Sequence, residues 1–376
     1  MDIFIITDYP DICSLEIKEL LNKNITSYEN ICFVKDVTKK DIAKITYHLQ
    51  SAKKICINLV DFEVKDFKKQ LKSELKTIPK TYLDKINSFE ARIEHSETSE
   101  LNSNELNKFV GEHILEISDL KVNLTNPDIS FYGYLSKHLF LGIDVVGFDL
   151  TKRPYKISSQ SDSLNGAFAY YLIRKAGITK NSCVLDPFAG TGMIPIEVAL
   201  YQNNISAFKF ENKFNAFKLE FIKKEFYAQE DEEKKNVLTG VGKIYAYDGL
   251  LKHVLGMQKN AKLAGTEKII TMSKINIDWL DSKIEEGEID FIITDPPKVN
   301  KRLDNEKEIV KLYDELFYQA KYVLKNKGKL VILTNHNEIP KTQSIKHNFE
   351  LKSEELVEKG EQKNLLLIFE KSKLKK

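Results

Sequence analysis

From residue 183 onward, short apolar runs alternate with helical stretches, and this alternation restricts the fold more than any other feature of the chain. The runs are 183–185, 244–247, 269–272, 291–294 and 330–334. Each has strand length, and each connection is long enough to hold a helix. Parallel strands need crossover helices, so a parallel sheet covered on both faces is expected. A helix over 163–176, stopped by Gly177, opens this region near residue 158.

The 376 residues leave room for two or three domains. Residues 1–60 read as a small α/β unit: strands over 3–6, 28–34 and 56–60, helices over 11–21 and 39–49. The stretch 61–110 is more polar, with a strand-like alternation at 89–93 and a helix over 102–117. Runs at 122–124, 129–135 and 139–143 follow, separated by Asn126-Pro127-Asp128 and Ser136-Lys137-His138. That spacing predicts a meander.

Composition removes several classes. No apolar run approaches the roughly 18–20 residues of a membrane helix. The opening Met-Asp-Ile-Phe has no basic region, so no secretory leader is expected. Cys13, Cys32, Cys56 and Cys183 are scattered without a C-x-x-C pair. Neither a zinc cluster nor a disulfide framework is expected, no metal is implied, and a cytoplasmic protein with free thiols follows. With 57 basic and 55 acidic residues the net charge is only +2, so any nucleic-acid surface must come from local segregation of charge.

Four motifs carry chemistry. Val184-Leu-Asp-Pro-Phe-Ala-Gly-Thr-Gly192 ends a strand in a carboxylate and leads through a glycine turn into a helix starting at Met193. It has no P-loop lysine and is not G-x-G-x-x-G, and Asp186 would repel a pyrophosphate. A zwitterionic or cationic ligand suits it better. Asp248 ends the next run, where an acid accepts both hydroxyls of a ribose. Within Ile275-Asn-Ile-Asp278, either Asn276 or Asp278 is an acceptor for an adenine amine. Finally, Asp290-Phe-Ile-Ile-Thr-Asp295-Pro-Pro297 ends an apolar strand in an acid and two prolines. The prolines lack donors and stiffen the loop, leaving the Asp295 carboxylate and the Pro296 carbonyl as fixed acceptors for a planar amino group.

In this order the motifs resemble a class I S-adenosylmethionine-dependent methyltransferase of the amino-methylating branch, with D-P-F-A-G-T-G as cofactor loop and D-P-P as catalytic motif. The run from Leu139 to Tyr155 resembles the closing strand and linker of a THUMP domain, and residues 3–21 resemble the ferredoxin-like domain that precedes it. The helix Lys252-His253…Asn260-Ala-Lys-Leu-Ala-Gly265 and the aromatic insert 208–217 are similar to archaeal-type tRNA guanine-N2 methyltransferases acting at the sixth nucleotide of the acceptor stem.

The resemblance implies an α/β chain of three parts: a ferredoxin-like domain (1–63), a THUMP domain and linker (64–157), and a Rossmann-like seven-stranded methyltransferase domain (158–376). It implies S-adenosylmethionine as cofactor, held by Asp186, Phe188, Ala189, Gly190, Thr191, Gly192, Met193, Asp248 and Asn276 or Asp278. It implies Asp295, Pro296 and Pro297 as the catalytic loop, and tRNA as substrate with THUMP gripping its 3′ end. A monomer without an obligate protein partner is expected.

Two positions depart from the pattern. Lys298 stands where relatives carry Tyr or Phe, whose stacking on the flipped base is worth about 1–3 kcal/mol. Either a neighbouring aromatic replaces it, or Lys298 contacts phosphate with Lys301 and Arg302, or turnover is lost. Gln160-Ser161 stands where relatives often carry His-Pro over the cofactor. The alternatives are guanine 10 of tRNA, a ribosomal RNA guanine, or a non-catalytic RNA-binding relative.

Overall fold

The structure is a computed structural model that describes residues 1–83, 85–96, 103–160, 163–235, 242–297, 306–359 and 362–372. Ser161, Lys298, Lys301 and Arg302 lie outside the described residues. The chain divides into two units, Met1–Thr151 with Phe208–Asn236, and Lys152–Ala207 with Val237–Lys376.

The first unit runs β1 (Ile3–Ile6), α1 (Pro10–Leu21), β2 (Ile25–Ser27), β3 (Ile31–Val34), α2 (Lys39–His48), β4 (Lys54–Glu63), α3 (Phe67–Leu75), β5 (Ser88–His95), α4 (Ser103–Ile117), β6 (Lys121–Val122), β7 (Ile129–Leu135) and β8 (His138–Asp144). These eight strands form one sheet in the order β2-β3-β1-β4-β8-β7-β5-β6. β4 joins the two halves of this sheet. Its ten residues reach past β1, which pairs with Lys54 to Ile57, and pair with β8 from Cys56 to Glu63. Buried Lys54 seals the joint by donating to Asp144 over 2.6 Å.

The expected meander is only half present. β7 and β8 form an antiparallel hairpin, but β6 pairs in parallel with β5, and β5 in parallel with β7. Asp128 sets this arrangement by accepting from the backbone N–H of Asn87 and of Ser88.

Residues 208–236, which include α7 (Lys223–Lys235), belong to this unit through their aromatics. Phe214 and Phe226 pack on buried Tyr47 of α2, at ring centroid distances of 5.0 and 6.4 Å. His48 of α2 meets Glu233 of α7 at 2.6 Å, both nearly fully buried. The aromatic insert therefore fills the core of the first unit.

In the second unit, α5 (Gly166–Ala176), β9 (Val184–Asp186), α6 (Met193–Asn203), β10 (Ile244–Asp248), α8 (Leu251–Ala264), β11 (Ile270–Lys274), β12 (Ile289–Thr294), α9 (Glu306–Val323), β13 (Leu324–Thr334), α10 (Glu338–Lys346), β14 (Phe349–Lys359) and β15 (Gln362–Lys371) follow one another. The seven-stranded sheet has the order β11-β10-β9-β12-β13-β15-β14. β9 to β13 are parallel, as the alternation predicts. The antiparallel hairpin β14–β15 on the edge is absent from the sequence reading. The strand order reverses between β9 and β12, and ligands of open α/β sheets bind outside the carboxyl ends of the strands at such a point. Among the described residues, no helix is long and apolar enough to cross a membrane.

Candidate active site

All the motif acids that end strands come together at the carboxyl edge of this sheet. Asp186 ends β9, Asp248 ends β10, and Asp295 follows β12 directly. Parallel pairing puts these ends side by side: Ala246 lies opposite Asp186, and Ile292 opposite Leu185.

Asp186 is almost fully buried and accepts on Oδ1 from the Thr294 hydroxyl (2.7 Å) and the Phe188 N–H (3.1 Å). Burial pushes its carboxyl up to about 8, against those two hydrogen bonds, and the charges of Asp248 and Asp295 add to the rise. Three carboxylates in one place make a setting for a cationic ligand. Asp186 and Asp295 line an open cleft together with Gln160, Ser163, Phe188 and Thr191. Ala189 and Met193 also line it, and among the described residues no lysine or arginine does.

The glycine loop is shaped by backbone demands. Gly190 (φ +53°) donates its N–H to Asp248 Oδ2 at 3.0 Å, and Gly192 (φ +89°) is the N-cap of α6. Left-handed backbone of this kind favours glycine. Asn260 of α8, fully buried, pins the loop: it donates to the Thr191 carbonyl and the Ser158 carbonyl, and accepts from the Ile157 and Ser158 N–H groups. Two hydroxyls of cleft residues, Ser163 Oγ and Thr191 Oγ1, are buried with no hydrogen-bond partner among the described residues. Buried polar groups are normally satisfied. The orphaned pair, the glycine cradle and the carboxylates thus fit a zwitterionic ligand bearing a positive charge.

Asp248 is more engaged than its sequence position suggests. Besides Gly190, it accepts from Leu250 N–H at 2.8 Å, and His253 Nδ1 lies 3.0 Å from its Oδ1. Asn276 and Asp278 are both exposed, but they are placed differently. Asn276 Oδ1 lies 2.6 Å from where a Cβ on Gly249 would stand, next to Asp248, whereas Asp278 sits further on in the short turn Ile277–Trp279. Pro296 is buried and Pro297 exposed.

Sequence reasoning missed Thr294, Ser163 and the role of Asn260. A hydroxyl closing an otherwise apolar strand, Phe291-Ile-Ile-Thr294, was the available signal for the first. The other two follow from contacts between distant segments.

Residues 153–364 match an RMKL-like methyltransferase domain, and residues 65–144 match a THUMP domain. Over 240 residues the chain is 33% identical to a tRNA (guanine(6)-N2)-methyltransferase from Methanocaldococcus jannaschii, covering 62% of this chain and 61% of that protein. A protein of the same name from Archaeoglobus fulgidus is 30% identical over 222 residues, covering 58% and 52%. The chain therefore spans between about half and three fifths of the length of these curated relatives. The crystal structure of TrmN from Thermus thermophilus is similar in fold, with a TM-score of 0.74 at 18% identity, over 99% of this chain and all of that one.

Proposed function

For a chain that belongs to the RMKL-like methyltransferase-domain family and also carries a THUMP domain, we propose transfer of a methyl group from S-adenosylmethionine to the exocyclic N2 amine of a guanine in tRNA. The observation that carries this reading is the shared cleft of Asp186 and Asp295. One acid belongs to the ligand-binding loop and the other to the loop with acceptors for an amino group. The names of the two curated relatives support guanine 6 of the acceptor stem, and the THUMP match supports a grip on the tRNA 3′ end.

S-adenosylmethionine, when bound, supplies a methyl carbon on a sulfonium, which is an excellent leaving group. Asp186, Ser163 and Thr191 would hold its amino-acid end, Asp248 its ribose and Asn276 its adenine, with Phe188, Ala189, Gly190, Gly192 and Met193 shaping the cradle. Asp278 is the weaker candidate for the adenine because Asn276 is the one beside Gly249.

Asp295 and the Pro296 carbonyl accept the two N–H bonds of the guanine amine and turn its lone pair toward the methyl carbon. Pro297 stiffens that loop. The protein contributes mainly positioning, and the proton leaves the nitrogen after the new bond forms, so Asp295 need not be a strong base. A guanine in a stem reaches such a pocket only when flipped out, at a cost of a few kcal/mol.

Purified protein incubated with labelled S-adenosylmethionine and unmodified tRNA should yield labelled N2-methylguanosine after digestion. Asp295→Ala should abolish the label and leave tRNA binding intact; full turnover by that variant would remove Asp295 from the mechanism. A second reading, an RNA-binding protein without turnover, is favoured by Lys298 in the motif. It predicts tRNA and cofactor binding with no label in any nucleoside. Label at guanine 10 or in ribosomal RNA would keep the chemistry and change the substrate.

A further inference from the structure

Position 298, where the resemblance calls for an aromatic, is lysine. The residues around Asp295 offer a replacement on the neighbouring strand. β12 runs parallel to β13, with Thr294 opposite Ile332, so the segment after Asp295 continues beside the end of β13 at Thr334. β9 and β10, which carry the cofactor-side acids, lie on the other flank of β12. A nucleophile held by Asp295 and facing that side must enter over β13.

At that entry stands a small ordered cluster. The buried Tyr313 of α9 and the Thr334 side chain share a hydrogen bond of 2.6 Å between hydroxyls. Thr334 Oγ1 also accepts the His336 N–H at 3.0 Å. The His336 ring sits edge-on to the Tyr313 ring, with centroids 6.2 Å apart, and is half-buried. The phenol of Tyr313 is pushed up to about 12, chiefly by burial, and the Asp295 charge contributes, so this cluster lies within electrostatic reach of the catalytic loop. His336 is thereby a flat, backbone-anchored side chain just past the end of β13, the strand beside the one that leads into Asp295.

We infer that His336 supplies the flat face on which the flipped guanine rests beside Asp295, in place of the aromatic missing at position 298. This rests on the methyl-transfer reading of the cleft. Imidazole offers a π-face to any base, and Tyr313 and Thr334 act as positioning residues that fix its backbone and ring.

The test uses guanosine 5′-monophosphate as probe, titrated by calorimetry into the full chain saturated with S-adenosylhomocysteine. His336→Ala should weaken nucleotide binding about tenfold, the scale of one lost base stack, whereas His336→Phe stays within about threefold of wild type. Cofactor affinity should be the same in all three proteins, which reports that the second unit is intact. Equal losses in both variants, unchanged binding in His336→Ala, or no binding by the wild type would each overturn the inference. Kinetics on tRNA separate the two levels. With the nucleotide pattern as expected, label that falls in KM terms for His336→Ala and recovers in His336→Phe supports the platform during turnover. Absence of label in every protein would sink the methylation reading and leave the nucleotide platform standing.

Discussion

The Thr294 hydroxyl donates to Asp186 Oδ1 over 2.7 Å, joining the carboxylate that closes β9 to the residue immediately before Asp295. The cofactor loop and the catalytic loop are thus coupled by one buried bond between parallel neighbours. Thr294→Val keeps the shape and removes the donor. A buried hydrogen bond to an uncharged group contributes about 0.5–1.5 kcal/mol, so the affinity for S-adenosylmethionine should fall roughly two- to tenfold. Calorimetry on the variant checks this, and wild-type affinity would show that the bond is incidental.

The raised carboxyl of Asp186 sets a pH dependence of stability. Folded, the group keeps its proton up to about 8, chiefly because it is buried; unfolded, it loses the proton near 3.8. The folded state therefore binds more protons between those values, and the stabilisation, complete below about 3.8, is lost as pH rises through 8. One such group contributes a slope of at most about 1.4 kcal/mol per pH unit. Urea unfolding across pH 5–8 should show a steeper decline for the wild type than for Asp186→Asn. Parallel curves would mean that Asp186 is ionised in the folded protein.

Arg153 and Glu197, both fully buried, form a two-point pair at 2.6 and 3.1 Å, and Tyr155 donates to the same carboxylate. The pair ties the segment entering the second unit to α6. Arg153→Met leaves a buried charge and should cost about 3–5 kcal/mol. Adding Glu197→Leu should restore much of the loss. Thermal unfolding of the single and double variants decides it, and a double variant no better than the single would contradict the account.

Gly190 and Gly192 both have left-handed backbone, yet alanine should be worse at 192. A Cβ on Gly192 would lie 2.6 Å from Cγ of Met257, in the middle of a side chain with no exposed surface. A Cβ on Gly190 meets the terminal amide of Gln160 at 2.7 Å, which can swing away. The backbone term, roughly 1–2 kcal/mol, is common to both. A lower urea midpoint for Gly192→Ala than for Gly190→Ala is expected, and the reverse order would place the tighter contact at the cleft.

Much of this was legible in the chain because it is local. The strand ends at Asp186, Asp248 and Thr294, the helix stops at Gly177 and Gly265, and the turn at Gly190 and Gly192 depend on neighbours within a few residues. β14 escaped notice because its alternation, Phe349-Glu-Leu-Lys-Ser-Glu-Glu-Leu, carries charge on one face and reads as a solvated segment. Only pairing with β15 along its whole length makes it a strand. Lys121–Val122 likewise looks like the first strand of a meander until its partner proves to be Ser88–Phe89.

The sequence by itself determined the parallel second sheet, the order of the acids along it and the glycine turn that opens α6, since each follows from spacing and from what a residue's own backbone allows. The tertiary structure alone decided that β4 fuses the N-terminal strands and the THUMP strands into one sheet, and that residues 208–236 fill the first unit's core. It also decided that burial raises the Asp186 carboxyl, that Asn276 rather than Asp278 stands by Gly249, and that the His336 backbone is tied to Thr334 just past the end of β13. Burial, charge proximity and cross-strand register are sums over segments far apart in the chain, and no local pattern carries them.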